Sequence, residues 1–199
     1  STMKILVMSD THGSLKALLD IQEQFDFEQF DAIFHLGDVL YHGPRNPLPE
    51  RYDPKGVVEI LKNCKINYIR GNCDADIDLK VLGLAEMPRI SIEYFGDFSF
   101  LLIHGEQFEE NNLEEFLSKK DVHFLLHGHT HISKIEEIGG KVVINPGSTS
   151  LPKNGTPRSV LIFEIDGHNV LATFYDLTLK QAYMEAKWIL KDTKLLRER

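Results

Sequence analysis

The 199-residue chain is 42% hydrophobic and 10% aromatic with a formal net charge of −8, enough material for one sizeable core. That acidic balance argues against a nucleic-acid backbone as partner, and any anionic substrate must be attracted locally. Two cysteines, Cys64 and Cys73, exclude a disulfide framework, and the richest apolar run, Phe98 to Ile103, is too short to span a bilayer. The expectation is one domain over residues 1–199 in a reducing cytoplasm, with Ser1-Thr2 set aside as an expression scar.

Lys4 to Ser9 reads as a buried strand running into Asp10-Thr11-His12-Gly13. Ser14 then caps a helix to Phe25, with Leu15, Leu18, Leu19 and Phe25 on one face. Ala32 to Leu36 is a second strand, ending in Gly37-Asp38; after a Pro-rich loop, Asp53-Pro54 opens a helix through Leu61. Ile66 to Ile69 is a third strand, followed by Arg70-Gly71-Asn72-Cys73-Asp74. Hairpins are expected around Gly96-Asp97, Gly139-Gly140 and Gly167-His168, each between strand-like runs. Leu179, Ala182, Tyr183, Ala186, Ile189, Leu190 and Leu196 make a helical stripe, which predicts an amphipathic helix over about 179–198 packed on its own domain or on a second subunit of a homo-oligomer.

The segment LLHGHTHISK sets His127, His129 and His131 at alternate positions after the apolar run Phe124 to Leu126. Five strand-like segments thus end in metal-ligating residue types: Asp10 and His12, Asp38, Asn72, His104, and His129 with His131. Singly these read as turns or surface pairs. Sites in open α/β sheets form beyond the carboxyl ends of strands, however, so five segments could deliver seven ligands to one crevice.

In its order D-x-H, G-D, G-N, H-G and G-H-T-H, from Asp10 to His131 and on into Asn145-Pro146-Gly147-Ser148, the chain resembles the calcineurin-like metallophosphoesterases. Within that family, LYHGPRNPLPE and RGNCD resemble loops of the small bacterial YfcE-type phosphodiesterases. The resemblance implies an α/β fold, a four-layer α-β-β-α sandwich of two mixed sheets flanked by helices. It further implies a binuclear centre of two divalent ions, Mn2+ first and Fe2+ or Zn2+ next. Asp10, His12 and His131 would hold one ion and Asn72, His104 and His129 the other, with Asp38 bridging. Two such ions about 3.5–4 Å apart activate a bridging water and clamp an in-line displacement at phosphorus. A small-molecule phosphodiester is the expected substrate.

Many family members carry His after the Gly-Asn pair, where it protonates the leaving oxygen; here Cys73 stands in its place. Thiols are poor donors, which favours diesters over monoesters, and the alternative reading of Cys73 is a small apolar filler. Arg45, in a Gly43-Pro44 loop, either grips a phosphate oxygen or is a solvated loop arginine. His127 falls outside the pattern and is expected in the wall of the site. Phosphomonoester hydrolysis is the second enzymatic reading. A β-lactamase-type zinc site is disfavoured because His131-Ile132 stands where Asp-His is needed. A non-catalytic scaffold, a role known for the family's retromer subunit, predicts eroded ligands, and all seven are present.

Overall fold

The structure is a computed structural model that describes residues 2–108 and 112–199; Ser1 of the expected scar lies outside the described residues. The strands are β1 (Met3–Met8), β2 (Ala32–His35), β3 (Asn67–Tyr68), β4 (Ile90–Phe95), β5 (Phe98–Ile103), β6 (Phe124–Leu126), β7 (Lys134–Ile138), β8 (Lys141–Asn145), β9 (Ser159–Asp166), β10 (Asn169–Asp176), β11 (Gln181–Lys191) and β12 (Lys194–Glu198). The helices are α1 (Leu15–Gln24), α2 (Pro54–Leu61), α3 (Asp76–Leu82) and α4 (Leu113–Ser118). Local chemistry sets the helix starts. Ser14 accepts the Ala17 N–H at 3.1 Å to cap α1, and Asp53 accepts the Gly56 N–H at 2.9 Å ahead of Pro54, whose fixed φ suits a first turn.

Two mixed sheets result. One runs β12-β11-β10-β9-β1-β2-β3 and the other β4-β5-β6-β8-β7. The pairs β1–β2, β2–β3, β5–β6 and β6–β8 are parallel; the hairpins β4–β5, β7–β8 and β9–β10 turn at the three expected glycine sites. Between the sheets lies a core built from Ile5, Val7 and Phe163 of the large sheet and Phe100, Phe124 and Ile144 of the small one. Phe100 and Phe124 stack at 4.8 Å, and Phe163 meets both edge-on. A second apolar layer joins Leu6 and Met8 to Leu18 of α1, Val57 of α2 and Leu82 of α3; a third joins Leu101 and Leu125 to Leu117 of α4. The order helix, sheet, sheet, helix is the four-layer α/β sandwich.

The chain's end corrects the expectation of a helix over 179–198. Gln181–Lys191 and Lys194–Glu198 are strands that extend the large sheet beyond β10. Met184, Ala186, Trp188 and Leu190 alternate inward while Glu185, Lys187 and Lys191 stay outside, a period of two. The helical stripe omitted Trp188, which is 1% exposed and packs edge-on against Phe124 at 5.4 Å. Ala, Lys and Glu favour helix locally, but tertiary burial of the indole overrides that preference. The short helices α3 and α4 also lie outside the sequence expectation; at seven and six residues they carry too few turns for a clear periodic signal.

Candidate metal centre

The loops after β1, β2 and β3 in one sheet, and after β5 and β6 in the other, meet at the end of the sandwich. They interlock through the backbone: Asp10 N–H donates to Gly37 O, His12 N–H to Asp38 O and Gly128 N–H to His104 O, at 2.8–3.0 Å. Such loops approach so closely that side chains have no room. A Cβ on Gly71 would lie 2.3 Å from Asp38 Oδ1, and one on Gly128 would lie 2.4 Å from Asp10 Oδ2. Glycine before the functional residue is therefore a packing requirement at both positions.

Asp10, His12, Asp38, His129 and His131 all adopt positive φ, between 49° and 70°. Non-glycine residues pay about 1–2 kcal/mol each for this region, and it persists only where surrounding contacts over-determine it. Those contacts are visible. Ser148 Oγ donates to Asp10 O at 2.7 Å and Ser150 Oγ to Thr11 O at 2.8 Å, while Asn145 Nδ2 donates to Gly128 O and Thr130 Oγ1. The Asn145–Ser148 turn is thus the strut that holds the Asp10 and His129 loops.

Each carboxylate has one oxygen committed and one aimed at the histidines. Asp10 Oδ2 accepts from Ser9 Oγ at 2.6 Å and from His129 N–H at 2.9 Å, and Asp38 Oδ1 accepts from Cys73 N–H at 2.8 Å. Asp10 Oδ1, buried and without a hydrogen bond, lies 3.5, 3.7 and 3.3 Å from Nε2 of His12, His104 and His131. Asp38 Oδ2 is 3.1 Å from His104 Nε2 and 3.7 Å from His12 Nε2. The histidines are oriented by their far nitrogens: Nδ1–H donates to Tyr41 O from His12, to Leu36 O from His104 and to Leu151 O from His131, at 2.7–2.8 Å. Backbone anchoring of Nδ1 turns the Nε2 lone pair into the site, which is how metal-ligating imidazoles are held.

The arrangement suits a cation better than it suits its own contents. Nε2 of His12 and His131 face each other at 3.1 Å, and His104 Nε2 is unbonded despite its nearness to Asp38. Two sets, Asp10 with His12 and His131, and Asp38 with His104 and His129, each bring their donor atoms within 4.8 Å of one another; a third joins His12 and Asp38 to Cys73. Oxygen and imidazole donors together suit manganese, iron or zinc.

Without a cation the cluster polarises itself. Burial would raise the Asp10 carboxyl, but the charge of His104 and the close imidazoles of His12 and His131 outweigh it and hold Asp10 well below the carboxylate range. Burial likewise opposes charge on His104, yet Asp10 and Asp38 raise that imidazole to about 10. Burial and the negative charge of Asp38 and Asp74 push the Cys73 thiol up to about 12, so it stays protonated at neutrality.

Asn72, Cys73, Arg45 and His129 line one open cavity of about 760 Å³ with Asp38, Tyr41 and His131. Asn72 Nδ2 points to Cys73 Sγ at 3.7 Å, leaving Oδ1 as the amide's Lewis base. His127 joins none of the donor sets and is not among the residues lining the cavity; its Nδ1–H donates to Gly128 O and its ring lies against Phe108, away from the expected place in the wall of the site.

Asp74 and His35 are absent from the residues singled out in the sequence. The Asp74 carboxylate accepts N–H groups of Asp38, Val39 and Gly71 at 2.7–2.9 Å, which ties the β2 loop to the β3 loop. Its place at the end of RGNCD was the available signal, but a carboxylate two residues after Asn72 reads as a turn until the fold brings those amides to it.

With this geometry in place, comparison with known proteins is decisive. Residues 3–168 match the model of the calcineurin-like phosphoesterase superfamily domain. The chain belongs to the calcineurin-like phosphoesterase superfamily. It is 39% identical over 175 residues to Phosphodiesterase YfcE of Escherichia coli K12, covering 85% of this chain and 92% of that protein. The solved structure of the E. coli phosphoesterase YfcE superposes with a TM-score of 0.80 at 34% identity, over 92% of this chain and 98% of the other. Vacuolar protein sorting 29 of Cryptosporidium parvum shares the fold, with a TM-score of 0.70 at 22% identity over 94% of this chain and 98% of its own. Among the described residues no helix is long and apolar enough to cross a membrane.

Proposed function

We propose that this chain is a binuclear metal-dependent phosphodiesterase. The observation that carries the reading is the convergence of Asp10 Oδ1, Asp38 Oδ2 and three Nε2 atoms whose rings are anchored through Nδ1. Asp10, His12 and His131 would hold one divalent ion and Asn72, His104 and His129 the second; Asp38 would serve both, because a carboxylate has two Lewis-basic oxygens and a neutral imidazole one. Manganese is the first candidate and iron or zinc the next. Bound there, two divalent cations supply Lewis acidity at phosphorus and a water acidic enough to attack at neutral pH.

The chain's own groups do the rest. Anchored Nδ1 atoms keep the rings from turning as charge moves through the site. Arg45, exposed on the rim of the cavity, meets a non-bridging oxygen of the substrate through its planar guanidinium. Cys73 sits beside Asn72 with its proton retained and offers only a weak S–H donor to the leaving oxygen. Leaving groups that need little protonation are therefore favoured, which points to activated phosphodiesters over monoesters. The 39% identity to a protein named a phosphodiesterase supports the same substrate class.

Asp38→Asn tests the assignment, since a neutral amide bridges two cations poorly. In this variant, metal analysis is expected to fall from two ions per chain to one or fewer, and turnover of bis(p-nitrophenyl) phosphate is expected to drop by orders of magnitude. Two retained ions with near-normal turnover would overturn the bridging role.

A further inference from the structure

Beside the reaction cavity lies a second hollow of about 530 Å³, between α2 and α3. Tyr41, Tyr52, Pro54, Val58, Ile77 and Val81 form its apolar lining. Pro54 and Val58 are one turn apart on α2, and Ile77 and Val81 one turn apart on α3, so each helix turns an apolar stripe into the groove. Ile77 and Val81 are 60% and 45% exposed and join none of the three apolar layers of the core. The charged residues beside them are engaged or solvated: Glu59 meets Lys62 at 3.3 Å, Asp78 accepts the Ala75 N–H at 3.1 Å, and Lys55 is exposed.

Two connections join this groove to the reaction cavity. Tyr41 lines both hollows, and its carbonyl accepts from His12 Nδ1–H at 2.8 Å, which ties the shared wall to a proposed metal ligand. The ring of His42 lies 4.8 Å from that of Tyr41 and 5.3 Å from that of Tyr52, so the three rings brace one another. The segment after β3 is the second connection. Its Asn72, Cys73 and Ala75 line the reaction cavity, and Ile77 and Val81 line the groove.

We propose that the groove binds an aromatic group, the leaving group of the substrate, so that the preferred substrate is a phosphodiester of a phenol. The leaving-group role rests on the phosphodiesterase reading above, which sets Cys73 beside the leaving oxygen; from there the chain leads through Ala75 to Ile77. Two separate features agree on the chemistry. The thiol is a weak donor, and a phenol, which ionises near pH ~10, leaves with less help than an aliphatic alcohol. Tyr41 and Tyr52 offer a ring its stacked or edge-on partners, and Val58, Ile77 and Val81 offer apolar area to bury. A charged or polyhydroxylated leaving group would lose water against those walls without regaining hydrogen bonds.

Methyl p-nitrophenyl phosphate and methyl 4-methylumbelliferyl phosphate test this, because in each the aryl group is the one that leaves, the two phenols are similarly acidic, and the second carries a fused ring. With Mn2+ bound, the chain is expected to favour the umbelliferyl ester about tenfold in kcat/KM, chiefly through KM, from the extra apolar area buried. Ile77→Lys and Val81→Lys, at exposed helix positions that tolerate lysine, are expected to bring that ratio close to unity with metal content unchanged. Fluorescence anisotropy of free 4-methylumbelliferone titrated with the full chain reads the groove without turnover. Saturable binding is expected, weakened in both variants. Such binding in a chain that turns over no diester would support the aromatic site and overturn its leaving-group role together with the phosphodiesterase reading. Diester turnover with a wild-type ratio near unity, or umbelliferone binding indifferent to both substitutions, would overturn the groove while that reading stands.

Discussion

At His35 both ring nitrogens are committed. Nδ1 accepts the Gly37 N–H at 3.1 Å, so Nε2–H donates to Thr11 Oγ1 at 2.8 Å, and that hydroxyl continues to Thr149 Oγ1 at 2.9 Å. The ring must stay neutral to fill this place, and burial, reinforced by His104 and His12, pushes it down to about 4 against the pull of Asp10 and Asp38. An unfolded histidine titrates near 6.5, so the folded state gains fully from this group above 6.5 and loses that gain as pH falls toward about 4. The gap corresponds to about 3 kcal/mol. Denaturation midpoints are expected to fall between pH 7 and pH 4.5, and less steeply in His35→Gln; equal slopes would place the titrating group elsewhere. Cys73→His is expected to raise monoester relative to diester turnover, since an imidazole donates where the thiol does so poorly. An unmoved ratio with metals intact would remove position 73 from the leaving group. The residues at strand ends were legible because each chemistry-bearing side chain follows an apolar run. His35 and Asp74 were not, because they act on backbone amides and hydroxyls that are distant in sequence until the loops interlock.

The βα units and the three hairpins could be read directly, since caps and two-residue turns are local devices that need no tertiary partner. β11 could not. Its Ala, Lys and Glu content scores as helix, and only the alternation of Met184, Ala186, Trp188 and Leu190 marks a strand. A strand at this place carries a different consequence from a surface helix, because Trp188 belongs to the core between the sheets. Trp188→Ala removes a large buried ring beside Phe124, and such truncations cost about 3–5 kcal/mol. The urea midpoint is expected to fall accordingly while metal content under native conditions holds, because no proposed ligand lies beyond β6 and its following loop. A midpoint shift below about 1 kcal/mol would mean that the hairpin β11–β12 docks loosely and contributes little to the core.

The proposed centre is divided between the sheets. Asp10, His12, Asp38 and Asn72 come from loops of the large sheet, whereas His104, His129 and His131 come from the small one. Each proposed set of ligands draws on both, His131 joining Asp10 and His12, and Asp38 with Asn72 joining His104 and His129. A bound cation would therefore cross-link the two halves of the sandwich, and separating the sheets would require releasing it. Ligand that binds only the folded state stabilises it by RT ln(1 + [L]/Kd), about 2.7 kcal/mol at a hundredfold excess over Kd. For a chain of this size each kcal/mol moves the unfolding temperature by about 2–4 °C. Chelator-treated protein is thus expected to gain about 5–10 °C for each ion bound on addition of Mn2+ at that excess, and Asp38→Asn, holding fewer ions, to gain less. The rise should grow from pH 6 to pH 8, because protons held on His104 and His12 by the two aspartates compete with the cation for the same nitrogens. A melting temperature indifferent to Mn2+, Fe2+ and Zn2+ alike would show that the sheets are held by apolar packing alone and that the cluster binds no cation tightly enough to matter to the fold.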